Sequence, residues 1–231
     1  MADHRRAPIV TGVELVQDLS GISPPTQGFL RRYRHRVKSV LSDGHRTDTF
    51  VVDYVDRTPE RRDAVVVAAY QPAPEGGPGQ AQVLLRRQLR YPVQVILGQP
   101  LFLEAVAGIL EGDEPVLHAA ARELHEEAGL DLPAHRFRVL GQPFFPSPGI
   151  LTERIHVVVV RLDPGTLEAP LHPPPTDGSA MEQGAELVSV TLEDALALTG
   201  VPSSEALYLA DAKTELALRR LAAALAEEAP R

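Results

Sequence analysis

One stretch constrains this chain more than any other: Gly108 to Leu130, GILEGDEPVLHAAARELHEEAGL. Asp113 or Glu114 can cap a helix there, Pro115 suits its first turn, and Gly129 suits the left-handed position past its end. The spacing predicts a helix over residues 115–128. At about 100° per residue, Leu117, Ala120, Ala121, Leu124 and Ala128 share one arc, which is the core face. Glu123, Glu126 and Glu127 fall at about 0°, 300° and 40° on the same wheel, in a neighbouring arc.

That second arc breaks a local rule. Like charges three and four residues apart repel by a few tenths of a kcal/mol per pair. All three carboxylates also lie in the last turns, where the helix dipole makes each anion cost about 0.3–1 kcal/mol. A hard divalent cation would turn the repulsion into coordination. An exposed acidic helix end is the plainer alternative, and the wheel alone leaves both open. Arg122, at about 260°, lies beside Glu126 and can orient a carboxylate. His118 and His125, at about 200–220°, are expected to be exposed and not to act as ligands.

Around this helix the chain reads as mixed strands. Residues 33–41 and 47–55 partly alternate around Ser42-Asp43-Gly44, which is the pattern of a hairpin or of two strands with a tight connection. Residues 64–70 (AVVVAAY), 82–89 and 153–162 (ERIHVVVVRL) read as strands, with shorter ones at 137–141 and 186–190. Residues 96–106 are expected to be a loop leading into a strand, and 143–149 a rigid loop. Residues 163–184 read as a long surface loop. Thr191 and Asp194 start a short helix, and residues 203–228 form a terminal one. The implied class is α+β, an α/β/α sandwich with a mixed sheet.

Composition removes several functions. The chain has no cysteine, so disulfides, thiolate zinc sites and a cysteine nucleophile are excluded. A net charge of −8 argues against a general nucleic-acid surface. That charge is uneven: residues 101–130 hold seven acids and one arginine. No apolar run approaches the roughly 20 residues of a membrane span, and MADHRRAPIV lacks a signal-peptide core. The expectation is a cytoplasmic protein with neither nucleic-acid nor membrane partners.

Gly108, Glu114, Arg122, Glu123, Leu124, Glu126, Glu127, Gly129 and Leu130 together resemble the Nudix box, G-x5-E-x7-R-E-U-x-E-E-x-G-U with U aliphatic. Three flanks are similar to those of the ADP-ribose pyrophosphatase-like subfamily: Leu85 to Tyr91 (LRRQLRY), Glu104 to Gly108 (EAVAG), and Phe144 to Gly149 with Thr152-Glu153-Arg154. Asp211-Ala212-Lys213-Thr214 is similar to the start of that subfamily's last helix. The resemblance spans about residues 40–225. It implies a Nudix-type sandwich over residues 61–231, the box at 108–130, and an N-terminal β-strand extension over residues 1–60 used in dimerisation. It implies hydrolysis of a nucleoside diphosphate sugar such as ADP-ribose, dependent on Mg2+ or Mn2+, by a homodimer.

Carried residue by residue, the resemblance gives Glu123, Glu127 and the carbonyl of Ala107 as metal ligands, with Glu126 direct or through water. Arg122 and Glu127 join the catalytic set. Arg90 is the expected phosphate clamp, with Arg87 or Arg86 sharing the role. Glu104 holds substrate or braces the box loop. Ser147 and Glu153 face the sugar, unless Glu153 is an edge ion pair with Arg154. The catalytic base falls to Glu182, with Glu186 as fallback, because Met181 and Gln183 stand where the subfamily carries glutamates. Phe29, Tyr33 or Phe50 can stack on the base across a dimer, or belong to the core. The alternatives are hydrolysis of UDP-sugars, GDP-mannose or dinucleotide polyphosphates, and a non-catalytic ADP-ribose sensor.

Overall fold

The computed structural model describes residues 30–57, 63–75, 77–98, 101–171, 185–199 and 211–228. Glu182 and Phe29 lie outside them.

The fold is organised by β3 (Ala64–Gln71), all eight of whose residues are buried. A run so rich in valine and alanine suits a strand covered on both faces. Its side chains divide by parity. Val65, Val67 and Ala69 pack with Ala119, Ala120, Leu124 and Ala128 of α2 (Val116–Ala128). Ala64, Val66, Ala68 and Tyr70 face the opposite layer, meeting Leu192 and Ala195 of α3 (Leu192–Leu198) and Ala217, Leu218 and Leu221 of α4 (Ala212–Glu228). A helix layer therefore covers each side of the sheet, as the sandwich expectation requires. Each valine buried in this way contributes about 1.5–3 kcal/mol.

The sheet has seven strands. β8 (Ile155–Arg161) runs parallel to β3, and β7 (Phe137–Val139) closes that edge antiparallel to β8. On its other side β3 pairs with β6 (Val106–Ile109) at one end and with β4 (Gln82–Leu89) at the other. β4 in turn pairs with β5 (Leu101–Glu104) and β9 (Glu186–Thr191). Separate from this sheet is a hairpin of β1 (Leu30–Val37) and β2 (Phe50–Arg57), turned at Gly44 with φ 89°. The hairpin touches the main body where Val55 bridges Leu151.

Three expectations need correcting. Where a loop was expected over 96–106, α1 (Tyr91–Leu97) ends on Gly98 at φ 69°, and the described residues 101–106 belong mostly to β5 and β6. The helix escapes periodicity because Val95, Ile96 and Leu97 are exposed, so no apolar face marks it. The start of α2 carries no side-chain cap; its N-cap is Pro115, and Glu114 is used elsewhere. Tyr33 and Phe50 are not core residues: Phe50 is exposed, and half-buried Tyr33 stacks on Tyr54 at 4.9 Å. Thr191 does cap α3, accepting from the Asp194 amide at 3.0 Å.

Candidate active site

Helix α2 presents a buried arc that runs through a carboxylate. Ala119, Ala120, Leu124 and Ala128 are buried, and so is Glu123, at 8% exposure. The buried arc extends past Glu123 to Ala119, and Leu117 and Ala121 are only half-buried. Glu123 lies directly over Gly108 of β6: a Cβ built on that glycine would fall within its carboxylate. Only glycine leaves the space, and the box needs one there for that reason. His118 and His125 are exposed, as expected.

Arg122 gathers the box. Its Nη1 donates to Glu123 Oε1 at 2.9 Å and to Glu126 Oε2 at 3.0 Å. Its Nη2 donates to Glu114 Oε2 at 3.0 Å and to the Ile109 carbonyl at 2.9 Å, joining the helix to the end of β6. Glu114 also accepts from the Glu111 amide, closing the loop between them. One cation thus serves three carboxylates. Burial pushes the Glu123 carboxyl upward, Arg122 opposes it, and Glu126 and Glu114 push it further up. Glu127 turns the other way. It accepts from Arg86 Nη1 and from the Ala107 amide at 3.1 Å. Arg86 is 3% exposed, and its Nε is buried without a hydrogen-bond partner.

These residues fit a hard cation in chemistry. The donors are carboxylate oxygens, and Gly108 cradles one of them. Two guanidinium groups stand against the carboxylates, where positive charge is required. Among the described residues no three acidic or imidazole side chains converge into a ready-made metal cluster. The structure brings Glu123, Glu126 and Arg122 together, and Ala107 with Glu127.

Beside the box lies a second ion network. Arg90 grips Glu104 with Nε to Oε1 at 2.5 Å and Nη2 to Oε2 at 2.9 Å. Lys213 donates to the same Oε2 at 2.5 Å and to Asp211 at 2.8 Å. Burial alone would raise the Glu104 carboxyl, but the hydrogen bonds and charges of Arg90 and Lys213 outweigh it and hold it at about 2. Glu104 thus ties Arg90 to Lys213 at the start of α4. Arg87 pairs with Glu186, so a residue expected to bind phosphate and the one expected as fallback base face each other.

Glu153 is largely buried, and burial pushes its carboxyl upward against the pull of Arg57 and Lys213. Its ion pair is with Arg57 of β2 at 3.1 Å, not with Arg154, which holds Asp63 at 2.6 Å. Ser147 anchors a turn, its carbonyl accepting from Ile150 and Leu151. Sequence reasoning missed the Arg86–Glu127 contact and Lys213 as a partner of Glu104. The signals were present as Arg86, one of two adjacent arginines in strand β4, and the basic residue of the Asp211–Thr214 motif.

The NUDIX domain pattern matches residues 60–210, about two thirds of the chain. ADP-ribose pyrophosphatases of Escherichia coli and Shigella flexneri are 33% identical to it over 138 residues, covering 59% of this chain and 57% of each relative. The chain thus spans little more than half the length of the curated relatives it matches. A solved structure described as an ADP compounds hydrolase shares the fold, with a TM-score of 0.55 over 84% of this chain and 86% of its own, at 19% identity. The pattern match contains the whole glycine-cradled helix and its strands, and on it the chain belongs to the NUDIX domain family.

Proposed function

We propose that this chain hydrolyses the pyrophosphate bond of ADP-ribose or a related nucleoside diphosphate sugar, with Mg2+ or Mn2+, giving a nucleoside monophosphate and a sugar phosphate. The observation that carries the reading is Glu123: a buried, cation-poor carboxylate over Gly108, flanked by Glu126 and Glu127 on one helix. Glu123, Glu127 and the Ala107 carbonyl would hold the cation, with Glu126 direct or through water. Bound there, it would neutralise phosphoryl oxygens and lower the pKa of the attacking water.

The chain's own groups do the rest. Arg122 keeps Glu123 and Glu126 in place through its two short hydrogen bonds. Arg90 and Arg87 bind the diphosphate, for which a planar guanidinium is suited. Glu104 sets the position of Arg90. Glu182 takes the proton of the water as its oxygen joins phosphorus and the bridging P–O bond breaks. Ser147 and Glu153 face the sugar. Tyr33, paired with Tyr54 on the hairpin, offers a stacking surface for the nucleobase. Residues 1–60 would form the extension through which a homodimer assembles, and 61–231 the catalytic domain. The proposed location is the cytoplasm; among the described residues no helix is long and apolar enough to cross a membrane.

Turnover of ADP-ribose, UDP-glucose and GDP-mannose side by side, with and without Mg2+ or Mn2+, tests this. Metal-dependent release of AMP from ADP-ribose is expected to dominate. Preference for another member of the panel moves the substrate within the hydrolases. Tight ADP-ribose binding without any product would leave a sensor.

A further inference from the structure

Arg90 faces a conflict in the role given to it above. Its side chain is 40% exposed, yet it reaches down to a carboxylate that is 2% exposed and holds both of its oxygens. To bind a diphosphate it must release at least part of that grip. Release would leave Glu104 charged in a buried place, which is costly unless another cation stays with it.

Lys213 is that cation. Its Nζ lies 2.5 Å from Glu104 Oε2 and 2.8 Å from Asp211 Oδ2. Its position is fixed by the start of α4. Asp211 Oδ2 accepts from the Thr214 amide at 3.1 Å and from the Thr214 hydroxyl at 2.6 Å. The same hydroxyl, fully buried, accepts from the Ala105 amide at 2.8 Å. The helix start is thus joined to the residue after Glu104, and Lys213 cannot drift away from the carboxylate it serves. Four charges balance here: Arg90 and Lys213 against Glu104 and Asp211.

We infer that Lys213 is a positioning residue that keeps Glu104 neutralised, so that Arg90 can exchange this carboxylate for the substrate diphosphate. This rests on reading Arg90 as the diphosphate clamp. Without Lys213, Glu104 would retain Arg90 and compete with the substrate for it.

The test uses the full chain, calorimetric binding of α,β-methylene ADP-ribose, and turnover of ADP-ribose. Lys213→Met is expected to weaken binding and raise KM by about tenfold, with kcat changed less than about threefold. Lys213→Arg should restore most of the affinity. Adding Glu104→Gln to Lys213→Met should restore it too, because a neutral amide no longer competes for Arg90. A fall in kcat at constant KM, no rescue by arginine, or no recovery in the double variant overturns the inference. If Lys213→Met does not fold, Lys213→Gln takes its place in each comparison. A cycle of Tm values for Arg90→Met and Lys213→Met reads the network without substrate. Two cations sharing one carboxylate predict that the double variant loses more Tm than the singles together, and additivity overturns the sharing. Failure of the wild type to turn over any substrate would sink the proposed function while leaving that cycle decisive for the network.

Discussion

Glu104 and Glu123 are the same residue type, both buried, and their carboxyls move in opposite directions. Glu104 is the more buried at 2% and is held at about 2; Glu123, at 8%, is pushed up. The difference is in the surrounding charges. Glu104 has two cations to itself and Asp211, whereas Arg122 is divided among Glu114, Glu123 and Glu126. Burial raises both, and the number of cations per anion decides the sign. One network is complete as it stands. The other is short of positive charge, which is what a cation site requires.

The largest effect should come from neutralising the carboxylates of α2. Glu127→Gln is expected to lower kcat by about 10²–10³, the range for deleting one charge-stabilising contact. Glu123→Gln should lower kcat similarly while raising the Tm, since it removes a buried charge that the fold strains to carry. Steady-state rates beside thermal melts check both. A Glu123→Gln variant that loses stability would make Glu123 resemble Glu104, and the contrast would fail.

Acid should destabilise the fold through Glu104. Its folded-state pKa of about 2 lies below the unfolded value of 4.5. The stability it supplies is therefore present above about pH 4.5 and is lost as pH falls toward 2, on the order of 3 kcal/mol in all. Denaturant titrations between pH 6 and 2.5 should show that slope, and Glu104→Gln should flatten it. Glu123 runs in the opposite sense: its raised pKa favours the fold at low pH, and that advantage disappears as pH rises.

The sequence made the cation-poor network legible because a helix repeats with a fixed angle. Glutamates at i, i+3 and i+4 must leave one side of the helix, although the tertiary fold decides their partners, as Arg86 does for Glu127. The strands were legible for a similar reason, since runs of valine such as 64–70 leave few options. The Glu104 network was not, because its members come from the N-cap of α1, from β5 and from the start of α4, and no local period connects Glu104 to a lysine 109 residues away. The extension of the buried arc past Glu123 was hidden as well. An angle on a wheel does not reveal that a glycine across the interface will accept a carboxylate. Helix α1 was invisible because its apolar residues face outward.

Metal should separate the two networks without any substrate. Mg2+ at about 100 times its Kd would stabilise the wild type by about 2.7 kcal/mol. That increase should vanish in Glu123→Gln and Glu127→Gln and persist in Glu104→Gln. Equal loss in all three would mean that both networks belong to one site. Gly108→Ala probes the cradle more gently. Its new methyl must push the Glu123 carboxylate aside, and overpacking of this kind costs about 1–3 kcal/mol. Chemical denaturation measures the cost, and an unchanged midpoint would mean that Glu123 moves freely and is not held over the glycine.

Glu126 is the sharpest test of where the cation-poor network ends, because it is exposed and yet shares Arg122. Its side chain is 53% exposed and pairs with Arg122 at 3.0 Å, four residues apart on one helix. Such pairs stabilise by only about 0.3–0.5 kcal/mol, so Glu126→Gln should barely move the melting point of the metal-free protein. If Glu126 touches the cation directly or through water, the same change weakens Mg2+ binding by about 10–100-fold, the scale seen for groups that orient metal ligands. Competition titration with Mn2+ reads this difference. A variant that is as stable as the wild type and binds metal just as tightly would return Glu126 to the solvated face of the helix. Glu123 and Glu127 alone would then remain as its metal-binding carboxylates.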